Sequence, residues 1–396
     1  MCRAIWKFAI CFFLLVLLVS CAHYANDYQK GDANPQIIRA EHELELVSAV
    51  WGFGTTNNQV MSADTGFFCI SRDDRGIYPT WYDPDTIEKK SLGTDELRSY
   101  FENYQVFSAR DRLVACTDEN SRINIIRPPY EEISSSHLLQ DKGGKVWHIF
   151  YQSAIVFDRK NDLIYCTLSE STFISDPAAL ASVDLNTGLV TVLRSCDPKE
   201  KTVLFACNST KKLILMGGTN SIRKQYGETP VIIFDLEEYE NNLSYSGEKL
   251  SVDKDPYCGY AFGDDGIYYT NGGSLQKYSY KDGSVCELCQ LSDRLSIPSQ
   301  VLAEGKLRFS VPVTPDESPA VSMWYDTSSN ELFDFRFSKD GIKRSGPTNK
   351  GLYGECGNWY CLVEYGESSS LSDNRYVLVN KHQYWTGDAE IIRFDD

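Results

Sequence analysis

The stretch that decides the fold is QVMSADTGFFCIS, which occupies residues 59–71. A second stretch with the same layout, residues 105–117, reads QVFSARDRLVACT. Each contains two apolar runs that flank a polar turn, which is the pattern of a β-hairpin. Further copies of this hairpin begin near residues 154, 203, 259 and 301. The sequence therefore contains a repeated β-structural unit.

A second hairpin follows each of these first hairpins. The residues that precede its turn are Tyr82, Ile126, Val183, Phe234, Tyr280 and Tyr325. Successive markers are 44, 57, 51, 46 and 45 residues apart. Two hairpins in about 40–50 residues are typical of one four-stranded blade of a β-propeller.

The length of the chain sets the number of blades. Of its 396 residues, about 350 form the body of the chain and have room for seven such units, with six or eight as alternatives. We therefore predict an all-β fold, a β-propeller of seven four-stranded blades over residues 43–396. Residues 44–50 are predicted to add the outer strand of the last blade and so close the ring. A two-domain β-sandwich array is the rival architecture, because sandwiches also have short strands and frequent turns.

The N-terminus has the layout of an export signal. Arg3 and Lys7 precede an apolar run over residues 8–19, which is shorter than the roughly 20 residues of a membrane-spanning helix. The run ends in Leu-Val-Ser-Cys at residues 18–21, which resembles the lipobox of bacterial lipoproteins. The resemblance implies a signal peptide at residues 1–20 and lipidation of Cys21. Residues 21–42 would then tether the propeller to the cell membrane or outer membrane, outside the cytoplasm.

Two alternatives concern this export signal. An ordinary secretory signal could instead be cleaved after Ala25, and the body would still work outside the cytoplasm. The host's number of membranes is open, so the choice between inner and outer membrane is open too.

The composition excludes some partners. The net charge is −16, and removal of the leader with its two basic residues makes it more negative. Such an acidic chain is not expected to bind nucleic acid. The leader and the lipobox contain three of the 13 cysteines. Cys69, Cys116, Cys166 and Cys361 occupy equivalent places in four blades, so we expect buried thiols that do not pair.

Sequence motifs for catalysis and metal binding are absent. The sequence has no GxSxG, GxxxxGK, GxGxxG or HExxH motif. Cys286 and Cys289 form one CxxC without a second ligand pair, so neither a metal site nor a cofactor is expected. Trp359, Tyr384 and Trp385 depart from the repeat and are candidate ligand-binding aromatics, with burial between blades as the alternative.

The exported layout and irregular blades resemble the lipoprotein propellers related to the TolB-like and YncE-like groups. This resemblance implies a binding platform. We therefore expect a non-catalytic binding or scaffold module that binds protein or glycan through one propeller face. An extracellular glycan-active hydrolase or lyase, with its site in the propeller funnel, is the alternative.

The lipobox generates a direct prediction. The wild-type protein is expected to incorporate labelled fatty acid and to sediment with membranes, whereas Cys21→Ala is expected to lose both properties because it lacks the acylated thiol. Cys11→Ala, within the apolar run, is the matched control. Fatty-acid labelling of Cys21→Ala at the wild-type level would contradict the prediction.

Overall fold

The structure is a computed structural model. It describes residues 41–47, 49–51, 60–103, 105–117, 121–171, 176–208, 210–217, 231–250, 260–271, 273–290, 302–303, 305–310, 322–334, 354–364, 375–386 and 391–394. The chain divides into the units Met1–Ala40 and Glu41–Asp396. Cys21, the predicted signal peptide and the tether up to residue 40 lie outside the described residues.

The strands assemble in chain order into seven sheets. Before the first sheet come β1 (Leu44–Val47) and β2 (Ala49–Trp51). The first sheet contains β3 (Val60–Ser62), β4 (Phe67–Asp73), β5 (Gly76–Asp83) and β6 (Glu88–Ser91). The second contains β7 (Gln105–Ala109), β8 (Arg112–Thr117), β9 (Arg122–Ile126) and β10 (Ser135–Leu138).

The third and fourth sheets follow. The third contains β11 (Gln140–Asp141), β12 (His148–Ile149), β13 (Ile155–Asp158), β14 (Leu163–Ser169), β15 (Ala179–Asp184) and β16 (Leu189–Ser195). The fourth contains β17 (Thr202–Cys207), β18 (Lys212–Gly217), β19 (Val231–Asp235) and β20 (Glu248–Leu250).

The last three sheets have four strands each. The fifth contains β21 (Tyr260–Phe262), β22 (Gly266–Asn271), β23 (Ser274–Ser279) and β24 (Val285–Gln290). The sixth contains β25 (Leu302–Ala303), β26 (Lys306–Ser310), β27 (Ser322–Asp326) and β28 (Glu331–Asp334). The seventh contains β29 (Gly354–Cys356), β30 (Trp359–Glu364), β31 (Arg375–Asn380) and β32 (Ile391–Arg393).

The described residues also form short helices. They are α1 (Asp95–Asn103), α2 (Leu236–Asn241) and α3 (Lys381–Thr386). Helix α1 packs Leu97 and Phe101 into the core, and its Arg98 forms two hydrogen bonds of 2.7 Å to the carboxylate of Asp73. In the described part of the chain, no helix has the length and apolarity that a membrane crossing requires.

The sheets form a ring. Within each sheet, the four main strands pair antiparallel in chain order. Clusters of buried apolar side chains join the first sheet to the second, the second to the third, and so on to the seventh. A further cluster joins the seventh sheet back to the first. The prediction of an all-β propeller is thus confirmed, and the described residues form seven sheets.

The strands that lie between two neighbouring sheets are buried on both faces, which explains the unbroken apolar runs in the sequence. In β8, Leu113 and Ala115 face the first sheet, whereas Val114 and Cys116 face the third. Successive side chains of a strand point to opposite faces, so a strand between two neighbouring sheets needs apolar residues at every position.

The junction between the first and seventh sheets, which we call the seam, is closed by side chains. The Tyr376 hydroxyl donates a hydrogen bond to the carbonyl oxygen of Ile70. The Glu355 backbone N–H donates to the Ser62 hydroxyl at 2.9 Å. In the part of the chain that the structure describes, the two sheets share no strand.

The predicted closing strand is therefore wrong. Residues 44–47 pair with β13 of the third sheet, and residues 49–51 pair with β7 of the second. The seventh sheet instead takes its outer strand, β32, from the C-terminal end of the chain. The inner edges of the second and third sheets offer unpaired backbone groups, and the N-terminal strands satisfy them.

The seam generates a prediction about stability. Tyr376→Phe removes the only hydroxyl of this side chain and leaves the Ile70 carbonyl without its donor. Loss of a partner from a buried acceptor costs about 1–3 kcal/mol, so the midpoint of urea unfolding is expected to fall. An unchanged midpoint, with an unchanged slope of the transition, would contradict this role of Tyr376.

Candidate functional site

The centre of the ring is surrounded by the first main strand of each sheet. Neighbouring first strands contact each other, as β29 contacts β3, β3 contacts β7, and β13 contacts β17. Strand β1 contacts β7, β13 and β17. The ring centre therefore holds the N-terminal residues 41–47 and 49–51, which we call the inner segment.

The inner segment lies as an added strand on two sheets. Leu44 pairs with Asp158 and Val47 with Ile155, so β1 runs antiparallel to β13. Ala49 pairs with Phe107 and Trp51 with Gln105, so β2 runs antiparallel to β7. One extended peptide thus joins the inner edges of two neighbouring sheets through its main chain.

The side chains of the inner segment alternate in chemistry. Leu44 and Leu46 pack against the apolar cluster between the third and fourth sheets. On the opposite side, Glu43 and Glu45 lie close to the guanidinium group of Arg159, the residue that follows β13. This period of two is what an extended strand requires, and it fixes the register of β1 on β13.

A buried histidine anchors the start of the inner segment. His42 Nδ1 lies 2.6 Å from Asp158 Oδ2, and His42 Nε2 lies 2.9 Å from Glu240 Oε1. The side chain of His42 is only 5% exposed, and that of Asp158 is fully buried. Carboxylates accept hydrogen bonds and donate none, so both ring nitrogens of His42 must donate. The geometry therefore fits a protonated imidazolium between two carboxylates.

The pKa shifts agree with this arrangement. Burial disfavours the charged imidazole, but hydrogen bonds to Asp158 and Glu240 outweigh it and raise the pKa of His42 above 6.5. Burial likewise opposes ionisation of Asp158, yet hydrogen bonds from His42 and Asn161 lower the pKa of this carboxyl below 3.8. Asp158 is therefore ionised and His42 protonated at any pH above the pKa of Asp158 and below the pKa of His42.

Arg159 provides a second anchor. Its guanidinium lies 2.6 Å from Glu45 Oε2 and 3.9 Å from Glu43 Oε1, and it also contacts Asp64 of the first sheet. The Arg159 backbone N–H donates to the carbonyl oxygen of Glu43 at 2.9 Å, and Lys160 pairs with Glu41. These ion pairs are partly exposed, so each contributes at most about 1 kcal/mol.

This arrangement is suited to binding an extended peptide. The inner edges of β7 and β13 bind an extended peptide mainly through backbone groups, which places few demands on its sequence. In the inner segment, the buried His42 pair and the two leucines add side-chain contacts to this backbone pairing, whereas the exposed ion pairs add little. Within the described ranges, no group of three or more potential metal ligands is found.

The sequence-predicted aromatic residues lie elsewhere. Tyr384 and Trp385 on α3 pack with Trp324 and Tyr360 between the sixth and seventh sheets. Tyr384 is buried, whereas Trp385 and Trp359 are half-buried. These residues are not brought to the ring centre, and their ligand-binding role stays a prediction. The predicted lipidation site Cys21 lies outside the described residues.

Sequence reasoning missed the residues of the ring centre. His42 lies within the predicted tether, residues 21–42, and neither Asp158 nor Arg159 is among the predicted site residues. The signal was present in EHELEL, residues 41–46, where polar and apolar residues begin to alternate as in a half-buried strand. Its pairing partners are more than 100 residues away, so the sequence pattern alone does not name them.

Comparisons with known proteins agree on the fold. Neither family models nor curated proteins match the chain. Among solved structures, a post-proline cleaving enzyme from Rickettsia typhi matches 87% of this chain and 55% of its own, with 10% identity and a TM-score of 0.51. A structure from a study of two prolyl endopeptidases matches 87% and 49%, with 12% identity and a TM-score of 0.51.

A puromycin-hydrolyzing peptidase from Mycobacterium tuberculosis matches 90% of this chain and 57% of its own, with 10% identity and a TM-score of 0.48. The chain spans about half the length of these solved structures. At such identities the likeness shows the fold alone. The two solved structures that match with a TM-score of 0.51 are peptidases, which counts against the expectation of a non-catalytic binding or scaffold module.

Proposed function

We propose that this chain functions in peptide hydrolysis, as the propeller of a peptidase. Its ring centre takes an extended substrate peptide as an added strand, and a hydrolase unit supplies the nucleophile. The observation that carries the proposal is the inner segment itself, which lies extended on the edges of β7 and β13. The likeness to peptidase propellers supports the same class of reaction.

In this proposal the inner segment and the substrate compete for the same strand edges. Backbone pairing suits a peptidase propeller, because main-chain hydrogen bonds accept many sequences while the ring limits the width of what enters. Release of the inner segment breaks the His42 pair and the contacts of Leu44 and Leu46. The exposed ion pairs of Arg159 add little resistance.

We also propose that the protein is lipidated at Cys21 and held at the cell membrane or outer membrane, facing outside the cytoplasm. The lipobox at residues 18–21 supports this placement. We propose further that the chain is related to the TolB-like and YncE-like lipoprotein propellers. Its membrane partner would be reached through the N-terminal lipid. The peptide substrate takes the place of the protein or glycan ligand expected from the sequence.

Peptide binding tests the main proposal. A fluorescein-labelled peptide of residues 41–51 is expected to bind the His42→Gln variant of the full chain more tightly than the wild type, because the change removes the buried ion pair that holds the inner segment in place. The matched control is His382→Gln at an exposed position. Fluorescence anisotropy measures the affinity. Equal affinities for the two variants would contradict competition at the ring centre.

Crosslinking tests where a peptide binds, and a cleavage assay tests whether that peptide is hydrolysed. A proline-containing peptide with a photoreactive benzoylphenylalanine is expected to crosslink to residues 105–109 and 155–158. In native membranes the same peptide is expected to be cleaved, and cleavage should fall when excess peptide 41–51 is added. Crosslinks confined to the outer surface of the ring, or cleavage that is insensitive to the competitor, would rule out this function.

The His42 pair predicts a pH dependence. The folded-state pKa of His42 is raised, so its stabilising effect is fully present below about 6.5, the ordinary value, and is lost as the pH rises through the folded value. Hydrogen exchange of residues 41–47, corrected for the intrinsic effect of pH, is expected to be faster at alkaline than at mildly acidic pH. His42→Gln should abolish this difference, and a variant with the wild-type pH profile would refute the assignment.

A further inference from the structure

Two cysteine thiols meet at the seam of the ring. Cys69 lies on β4, the second strand of the first sheet, and Cys361 lies on β30, the second strand of the seventh. Their Sγ atoms are 3.9 Å apart, and both side chains are fully buried. Both cysteines are buried and free, as expected, but their thiols lie side by side because the first and last blades are neighbours in a closed ring.

The surroundings of the two thiols are apolar and aromatic. Tyr82, Tyr376 and Leu378 belong to the same buried cluster, and burial raises the pKa of Cys69 well above its ordinary value. Because both side chains are fully buried, a donor disulfide cannot reach either sulfur once the ring has closed. Any reaction between the two sulfurs must therefore take place while the chain is folding.

We infer that Cys69 and Cys361 are a modification site, at which a disulfide bond joins the first sheet to the last. The step is an exchange with a small-molecule or protein disulfide. One cysteine thiolate attacks the donor disulfide and releases a donor thiolate, which takes up a proton. The second cysteine thiolate then attacks the resulting mixed disulfide and releases the second donor thiolate, which also takes up a proton. Two protein thiols are oxidised, and one donor disulfide is reduced to two thiols.

The position of the pair explains why a bond matters there. The two cysteines are 292 residues apart in the chain, and a disulfide that closes a long loop strongly restricts the unfolded chain. The described parts of the first and seventh sheets have no strand in common, so this bond would be the covalent link across the seam. An exported chain, as the leader predicts, meets oxidising conditions in which such bonds form.

The test measures the bond in the wild-type protein first. The full chain is unfolded, reduced and refolded in mild detergent with a mixture of oxidised and reduced glutathione, and free thiols are then alkylated in denaturant. Proteolysis without reductant, followed by mass spectrometry, is expected to give a peptide pair linked through Cys69 and Cys361. Refolded protein in which both cysteines are alkylated, or in which either is linked to another cysteine, would overturn the inference.

Unfolding in urea provides the second readout. Relative to protein refolded with reductant, the oxidised wild type is expected to have a folded-to-unfolded ratio at least about thirtyfold higher. Cys69→Ser and Cys361→Ala should remove this difference. Cys196→Ser is the matched control, since the buried Cys196 thiol donates to the carbonyl oxygen of Thr202 in the fourth sheet, and it should keep the difference. A difference that survives in Cys69→Ser would also overturn the inference.

Discussion

The packing of the first sheet against the seventh is the constraint on which the rest of the structure depends. A propeller hides the edges and faces of its sheets only when the ring is closed. Here the closing contacts are a cluster of buried side chains, the hydrogen bond from Tyr376 to Ile70, and the contact of Glu355 with Ser62. Six other clusters of the same kind join the remaining sheets, so failure at the seam would expose two apolar sheet faces at once.

The N-terminal residues that could have closed the ring are used at its centre instead. The inner segment satisfies unpaired backbone groups of β7 and β13, and its leucines cover apolar surface between the third and fourth sheets. The buried pair of His42 and Asp158 fixes the start of the segment, since removal of His42 leaves the buried Asp158 carboxylate without its cation. The second, third and fourth sheets are thereby tied together by one extended peptide.

The repeated hairpins could be predicted from the sequence because they are local. The turn markers Tyr82, Val183 and Tyr325 all fall at the end of third strands, as the spacing indicates. The pairing partner of residues 44–47 could not be predicted, because the inner or outer edge strand of any sheet would suit the same alternation of polar and apolar residues. The meeting of Cys69 with Cys361 and of His42 with Asp158 depends on which sheets become neighbours in the ring. The aromatic candidates were chosen because they depart from the repeat, yet Tyr384 departs from it in order to pack within the core.

The junction between the second and third sheets therefore differs from the seam in the interactions that hold it together. Sheets two and three are joined at the centre by backbone pairing as well as side-chain packing, whereas the described seam is joined by side-chain packing and by hydrogen bonds that each involve a side chain. Backbone pairing resists separation because each broken hydrogen bond leaves polar groups to be satisfied, while apolar packing yields gradually with exposed area. A ring that must admit a peptide would open most readily at the seam, and Cys69 and Cys361 lie at that joint. A bond between them would keep the ring intact and leave movement of the inner segment as the route to the central strand edges.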